Sequence, residues 1–505
     1  MNMQHRVRQI VVVLLLISPW LWPLTFGPYA EAMPWLFSLG VAALLLALWP
    51  QGEVTRLLAL AWVWAATLSV LPEMLQYFGL ARLEFFWPWI RDTAPGYASG
   101  NIGQPNQQAT LLGMGLWASC WLIRSQGRFW ALGVAGAIIA VGMAATASRI
   151  GTVHLVAVLL LILLWGGQDR RCMLQWYAVV LAFYLAGALA LPLLASQVGI
   201  EDARSLWIRI QNGEGSCGSR RLLWGNVLEL IAAKPWLGWG WGDLRYAQYM
   251  TLFKGPRWCA VLGNAHNLPL HLAVTLGVPA ALFFCTLVAL VVLRERPWRE
   301  RDSRRQLAWG VLVLFALHSL VEFPLWYGPF QIAAVACIYV LWKTRNSEGW
   351  ACVAPTKRGE VLRYGAAAAM LGASIFGFSD YWRVSQPYLP PEHRVEGLRG
   401  NHDGQKTLVY ASKTVFFQNQ ALFARLNALT VDNDNALVVN QLATYLLHFS
   451  PEPRVLEKLL DSAFFLNEME QARFHSVRFR AAYPKEYSAW VKSRFPSGGW
   501  DVTSH

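Results

Sequence analysis

Apolar runs of about 20 residues, each long enough to cross the hydrocarbon of a bilayer, recur along the first three-quarters of the chain. Short polar turns separate them. Read in order, the runs cover 10–26, 33–49, 57–78, 109–123, 129–146, 152–165, 173–194, 267–293, 306–326, 328–342 and 364–378, so the pattern predicts about 11 membrane spans. The first run lacks a small-x-small cleavage site and is read as a span, not as a signal peptide. Two polar stretches interrupt the series, 79–108 and roughly 195–266. From about Tyr381 onward the character changes. Apolar residues recur at helical spacing in 411–429, 436–449, 455–466 and 468–482, with turn signals at Asp432-Asn433-Asp434-Asn435 and Ser450-Pro451-Glu452-Pro453. The expectation is an all-α polytopic membrane protein. It has a transmembrane domain over 1–379 and a small soluble helical domain over 380–505, of roughly four to six helices.

Composition agrees with that pattern. Hydrophobic residues make up 55% of the chain and charged residues only 14%, against about 25% in a soluble domain. The net charge of +13 would suit nucleic acid, but its distribution does not. Much of it sits in short loops: Arg6 and Arg8, Arg56, Arg124 and Arg128, Arg170 and Arg171, six arginines between Arg294 and Arg305, then Lys343, Arg345, Lys357 and Arg358. These fall in every second loop, and so on one side of the membrane, as the positive-inside rule requires. Many of the 27 Trp fall near span ends, where interfacial rings belong. The same alternation places 79–108, 195–266 and the C-terminal region on the outer side. Arg149 is an exception, because it falls on the outer side in a tight turn. A charge held at the membrane face against the rule is a functional candidate, although a snorkelling arginine would look the same. There is no Cys-x-x-Cys pair, no His-Glu-x-x-His and no Gly-rich phosphate loop. A metal site and an ATP-driven pump are therefore not expected.

Several stretches on the outer side carry chemistry. Gly100-Asn101-Ile102-Gly103-Gln104-Pro105-Asn106 offers amides that read sugar hydroxyls or phosphate oxygens. Ser148-Arg149-Ile150-Gly151 and Ser219-Arg220-Arg221 offer guanidinium forks suited to phosphate. The run from Lys234 to Gly242 alternates Trp and Gly, and its rings suit either sugar stacking or interfacial anchoring. His266-Asn267 opens an apolar run, with Gly277 further on. An imidazole there suits proton transfer or anion binding, although by itself it reads more readily as a helix cap. In His318-Ser-Leu-Val-Glu322-Phe-Pro-Leu-Trp-Tyr327, His318 and Glu322 are one helical turn apart, and a structural pair is as compatible with that spacing as a catalytic one.

His266-Asn267 followed by Gly277 resembles the signature of bacterial O-antigen ligases. The stretch from His318 to Tyr327 resembles the narrower signature of PglL-type protein O-oligosaccharyltransferases, as do Gly100-Asn101 with Gln104-Pro105-Asn106, Ser148-Arg149-Ile150-Gly151 and the 235–242 run. Ala280 departs from the Gly, Thr or Val often found three residues after that glycine. The resemblance implies a GT-C-like enzyme of the bacterial inner membrane, with its active site and C-terminal domain facing the periplasm. Such an enzyme takes a glycan from an undecaprenyl-diphosphate carrier and needs no cofactor or metal. In this subgroup the acceptor is a Ser or Thr hydroxyl of a protein, often a pilin. The chemistry then assigns expected roles. His266 is the general base for the attacking hydroxyl. Arg149 and Arg220, with Arg221 in reserve, neutralise the leaving diphosphate. Gln104 and Tyr327 orient glycan or phosphate, while Asn101, Asn106, Asn267, His318 and Glu322 complete the substrate-binding set. Cys217 and Cys259 both lie in the large outer loop, and an oxidising periplasm permits a disulfide between them. Rival expectations are a ligase acting on lipid A-core, a Wzy-type polymerase and, from another class, a lipid-linked sugar transporter. A transporter would place charges deep in its spans and show paired halves, and neither pattern is clear here.

Overall fold

A computed structural model describes residues 3–50, 54–86, 88–126, 129–205, 218–345, 356–398 and 404–496. Among the described residues the chain is all helix and turn, with no strand. Each expected span carries a helix. Four helical stretches are long and apolar enough to cross a membrane by length and composition: Thr55–Tyr77, Gly167–Gln197, Val278–Arg299 and Lys357–Tyr388. Shorter apolar helices include Ala32–Leu48, Phe129–Ala145, Arg149–Trp165 and Gly328–Lys343. The protein is thus a helical membrane protein.

The chain divides into two compact units. One comprises 1–213 and 291–378, and the other 214–290 and 379–505. In the first unit the Pro105–Gln126 helix is central, packing against Thr55–Tyr77, Phe129–Ala145, Arg149–Trp165 and Ser303–Ser319. Every residue from 107 to 123 is buried. A helix with no lipid-facing side can carry polar groups, provided its neighbours satisfy them. Gln108 Nε2 donates to Ser69 Oγ at 2.7 Å, and Thr110 Oγ1 lies 2.7 Å from His318 Nδ1. Those polar residues make this helix less apolar than its neighbours although it lies at the heart of the bundle. At the opposite extreme, the apolar window within Val278–Arg299 is only 6% buried, as suits a helix turned toward lipid.

The arginine-dense loop is more ordered than its charge count suggests. Buried Arg305 pairs with Glu295 and Glu300, each at 2.6 Å, and donates to the Leu341 carbonyl at 2.7 Å. Arg304 pairs with Asp302, the N-cap of the Ser303–Ser319 helix.

Four sequence expectations differ from the structure. The run 267–293 is not one helix but two, Leu268–Leu276 and Val278–Glu295, divided at Gly277. The 195–266 stretch also contains helices, Arg220–Ala233 and Leu244–Met250. In the C-terminal region six helices run from Gln405–Ala411 to Pro484–Arg494. The expected 411–429 helix begins only at Gln418, because buried Asp380 accepts from Thr414 Oγ1, Val415 N and Phe416 N and so holds the preceding segment in a turn. Pro484–Arg494 escaped the sequence reading because only Tyr487 and Trp490 are buried on it, too thin an apolar stripe to register.

His475 is buried in the second unit, with its Nδ1 2.9 Å from the Tyr249 hydroxyl and the two rings stacked at 5.9 Å. Burial, reinforced by the Arg478 charge, pushes this imidazole down to about 4. An unfolded chain holds histidine near 6.5, so between these values the unfolded state binds more protons and stability falls as pH drops. Melting followed by tryptophan fluorescence should therefore shift to lower temperature between pH 7 and pH 4.5. His475→Gln should flatten that part of the dependence, whatever it does to the melting temperature at pH 7.

Candidate functional site

In the first unit the motif residues meet around Asn106, in the first turn of Pro105–Gln126. Its Nδ2 donates to Glu322 Oε1 at 3.1 Å, and its Oδ1 accepts from Ser148 Oγ at 2.7 Å. Ser148 is also the N-cap of Arg149–Trp165, accepting from Gly151 N. One hydroxyl thus caps a helix and ties it to a neighbour. The preceding turn is tight: buried Ala147 adopts φ +47, and Ser148 N donates to Thr146 Oγ1. Arg149 follows directly as the first residue of its helix and is exposed.

His318 and Glu322 are both buried and remain one turn apart, because Glu322 N donates to the His318 carbonyl at 2.8 Å beyond the end of their helix. Each reaches the central helix. Glu322 meets Asn106 and His318 meets Thr110, residues that are themselves four apart. Two matched one-turn spacings thus clamp the helices in register. Buried His154 lies edge-on to His318, with ring centroids 6.1 Å apart. Ionisable groups inside a helical membrane bundle are functional candidates. Thr110 and His154 were not on the sequence-based list. Thr110 stands one turn beyond Asn106 on the same face, which carried a signal; His154, five residues beyond Arg149, lies on another face of its helix and carried none.

The 99–104 loop is held from within. Asn101 is buried, with its Nδ2 donating to the carbonyls of Leu21 and Trp89 and its Oδ1 accepting from Arg91 N. Gln104 Oε1 accepts from Gln107 N at 2.7 Å, closing the first turn of the central helix. Tyr327, at the N-terminus of Gly328–Lys343, is half-buried. Burial, then the carboxylates of Glu31 and Glu322, push its phenol above the ordinary value, against the pull of Arg91. The hydroxyl therefore stays protonated, a neutral group able to donate.

In the second unit Ser219 caps Arg220–Ala233 by accepting from Leu222 N. Arg220 is half-buried and Arg221 exposed. Trp224, one turn beyond Arg220, donates Nε1 to the Ala265 carbonyl at 3.2 Å, which ties this helix to the residue just before His266. His266 adopts φ +50 and donates its backbone N–H to Asn264 Oδ1 at 2.9 Å. Asn267 then caps Leu268–Leu276, accepting from Leu270 N. The half-buried imidazole therefore stands at a helix mouth in a constrained left-handed turn.

The Trp-Gly run and Gly277 explain one another. Trp239 N and Gly240 N donate to the carbonyls of Val274 and Thr275, and Val278 N donates to that of Pro235. The two backbones lie so close that a Cβ at Gly277 would overlap the Trp236 carbonyl, and one at Gly238 would overlap the Thr275 carbonyl group. Gly277 also takes φ +91 and ψ 160, a region that is essentially glycine's alone. Cys259 is disulfide-bonded, and Cys217, its expected partner, lies outside the described residues. The candidate residues are thus divided. Asn101, Gln104, Asn106, Arg149, His318, Glu322 and Tyr327 belong to the first unit, and Arg220, Arg221, His266 and Asn267 to the second.

Comparison with known proteins agrees with the motifs. The O-Antigen ligase profile matches residues 134–285, the Protein glycosylation ligase profile 98–123, and that of the C-terminal part of virulence factor membrane-bound polymerases 306–497. Two relatives from Acinetobacter baylyi are similar. A ComP-specific O-oligosaccharyltransferase is 25% identical over 48% of this chain and 44% of its own length. A General O-oligosaccharyltransferase is 24% identical over 52% of this chain and 47% of its own. The match thus spans about half the length of these curated relatives. No solved structure matches significantly. The chain is therefore similar to O-antigen ligases and PglL-type O-oligosaccharyltransferases, as its motifs imply.

Two substitutions test this architecture. Gly277→Ala should cost about 1–3 kcal/mol from backbone strain alone, and more from the overlap with Trp236, read as a lowered melting temperature. Ser148→Ala removes a cap and the bond to Asn106 together, and should cost about 1–2 kcal/mol in the same measurement.

Proposed function

We propose, from this kinship with O-antigen ligases and protein glycosylation ligases, that the chain is a protein O-oligosaccharyltransferase. It moves an oligosaccharide en bloc from undecaprenyl diphosphate to Ser or Thr hydroxyls of a periplasmic protein such as a pilin. The carrying observation is a coincidence of position. The protein glycosylation ligase match, 98–123, falls on the stretch whose Asn106 bonds both Ser148 and Glu322. In this reading the acceptor oxygen attacks the anomeric carbon and the bond from that carbon to the diphosphate oxygen breaks. The hydroxyl proton passes to His266, and the diphosphate leaves with the electron pair. Arg149 and Arg220 meet the charge that develops on the leaving group, with Arg221 in reserve. Gln104 and Tyr327 hold glycan or phosphate, supported by Asn101, Asn106, Asn267, His318 and Glu322. The enzyme needs no metal, because the diphosphate is itself a good leaving group. It works in the bacterial inner membrane with these groups and the C-terminal domain facing the periplasm.

A second reading has one specific support, the polymerase profile over 306–497. It replaces the protein acceptor with a growing glycan. Ligation to lipid A-core is a related variant, consistent with the O-Antigen ligase match. Names of the relatives favour protein, since both are O-oligosaccharyltransferases.

Co-expression with a candidate pilin and a lipid-linked glycan pathway, read by the pilin's intact mass, separates these outcomes. A glycan-sized increment is expected. Polymerised glycan or new sugar on lipopolysaccharide, with none on protein, would overturn the protein-acceptor reading. His266→Ala should leave the protein inserted but lower transfer by about a hundredfold or more. Arg149→Lys keeps the charge but loses the fork, and should slow transfer by about tenfold or more. Wild-type turnover in either variant removes that residue from the site.

A further inference from the structure

Beside the motif cluster, the first unit holds a cavity of about 190 Å³ that none of the expected roles fully accounts for. Its walls include Trp22, Glu31, Trp35, Arg91, Gln104 and Tyr327. These come from several separate stretches of chain: the connection after Met3–Leu21, the start of Ala32–Leu48, the loop before Pro105–Gln126 and the turn before Gly328–Lys343. Two of the six, Gln104 and Tyr327, already stood out in the sequence. The other four did not, because nothing in the local pattern of a Trp at a span end or a Glu at a helix start distinguishes a wall from an anchor.

The chemistry of the wall is specific. Trp22 is fixed by stacking on Phe37 at 3.9 Å and by donating Nε1 to the Leu24 carbonyl. Trp35 donates Nε1 to Gln331 Oε1 at 3.2 Å, yet the residue is 42% exposed. Glu31 occupies the N-cap position of Ala32–Leu48, but its side chain makes no capping bond there. Arg91 is anchored by its backbone, its N–H donating to Asn101 and its carbonyl accepting from Gln76, while Nη1 donates to the Ile102 carbonyl. Its guanidinium lies directly over Gly103, where any Cβ would overlap it.

We propose that this cavity is a saccharide-binding subsite, in which Trp22 and Trp35 present ring faces to a sugar and Glu31, Arg91, Gln104 and Tyr327 read its hydroxyls. Flat apolar rings next to planar polar groups suit a sugar, which has C–H faces and a hydroxyl rim. A carboxylate in the same wall as the guanidinium argues against a bare diphosphate, which it would repel, and favours an uncharged polyhydroxylated ring. The volume suits a single ring better than a chain. The inference deepens the transferase reading and rests on it for the identity of the sugar donor, but binding is measurable without transfer.

Binding of undecaprenyl-diphosphate-linked oligosaccharide and of sugar-free undecaprenyl diphosphate is therefore compared by native mass spectrometry on the detergent-purified full chain. Trp35→Ala and Glu31→Gln are each expected to weaken the glycan-linked carrier about tenfold while leaving the sugar-free carrier unchanged. Glu31→Gln removes a charge from an exposed position without altering packing, so it guards against a folding defect in Trp35→Ala. Equal weakening of both carriers, unchanged binding of both, or no advantage of the glycan-linked carrier in wild type would overturn the subsite. Selective weakening in a protein that transfers glycan to neither protein nor lipid would instead leave the subsite standing and remove the transferase reading.

Discussion

The Asn106 carboxamide is held on both sides, by Glu322 at its donor end and Ser148 at its acceptor end. Hydrocarbon supplies no hydrogen-bond partners, so a polar group inside a helical bundle must find them on neighbouring helices. Asn106 finds them on two. One contact fixes the segment after Ser303–Ser319, and the other fixes the N-terminus of Arg149–Trp165. The bond from Thr110 to His318, one turn deeper, locks the same pair of elements at a second level. Three separately coded motifs therefore become one rigid feature, and the exposed Arg149 is set by it.

The second unit solves a related problem with backbone instead of side chains. Its two helix mouths are each built by a capping residue, Ser219 and Asn267, which consume donors that a helix start would otherwise leave unmet. Between them the Trp-Gly run lies against residues 274–278 through three backbone bonds. The glycines are there because two main chains approach too closely for side chains. The bonding of Trp239 is equally structural, with its Nε1 on the Leu230 carbonyl and Lys234 above its ring. By contrast the Trp236 ring is exposed, and Trp241 meets His271 edge-on with ring centroids 5.7 Å apart. A motif recognised as a unit thus contains residues that build the scaffold beside one that faces outward.

Asn101 makes the same point in the first unit. Its amide is engaged by three backbone groups, so what it does for the 99–104 loop is to hold its shape. Arg91, which carries no motif of its own, is placed by that loop. The residues that line the adjoining cavity are thereby arranged by neighbours whose importance is visible in sequence and whose purpose is not.

The sequence by itself determined the helical membrane class, since apolar runs of span length admit few other solutions. The caps at Ser148, Ser219 and Asn267 are also local, each acting within three residues of itself, yet the apolar pattern alone starts one span at 152 and leaves 195–266 as a polar stretch. The candidate residues His266, Arg149 and Arg220 were legible for the same local reason, with motifs flanking each. Only the tertiary structure decided what long-range contact decides. It broke the 267–293 run at Gly277, where Trp236 crosses, and the 411–429 run where Asp380 reaches in. It turned His318 and Glu322 from a pair on one helix face into two separate bonds to another helix. It also assembled the Trp22, Glu31, Trp35 and Arg91 wall from distant segments. Such contacts depend on which faces meet, and the period of a pattern fixes the face of each helix but not the helix it meets.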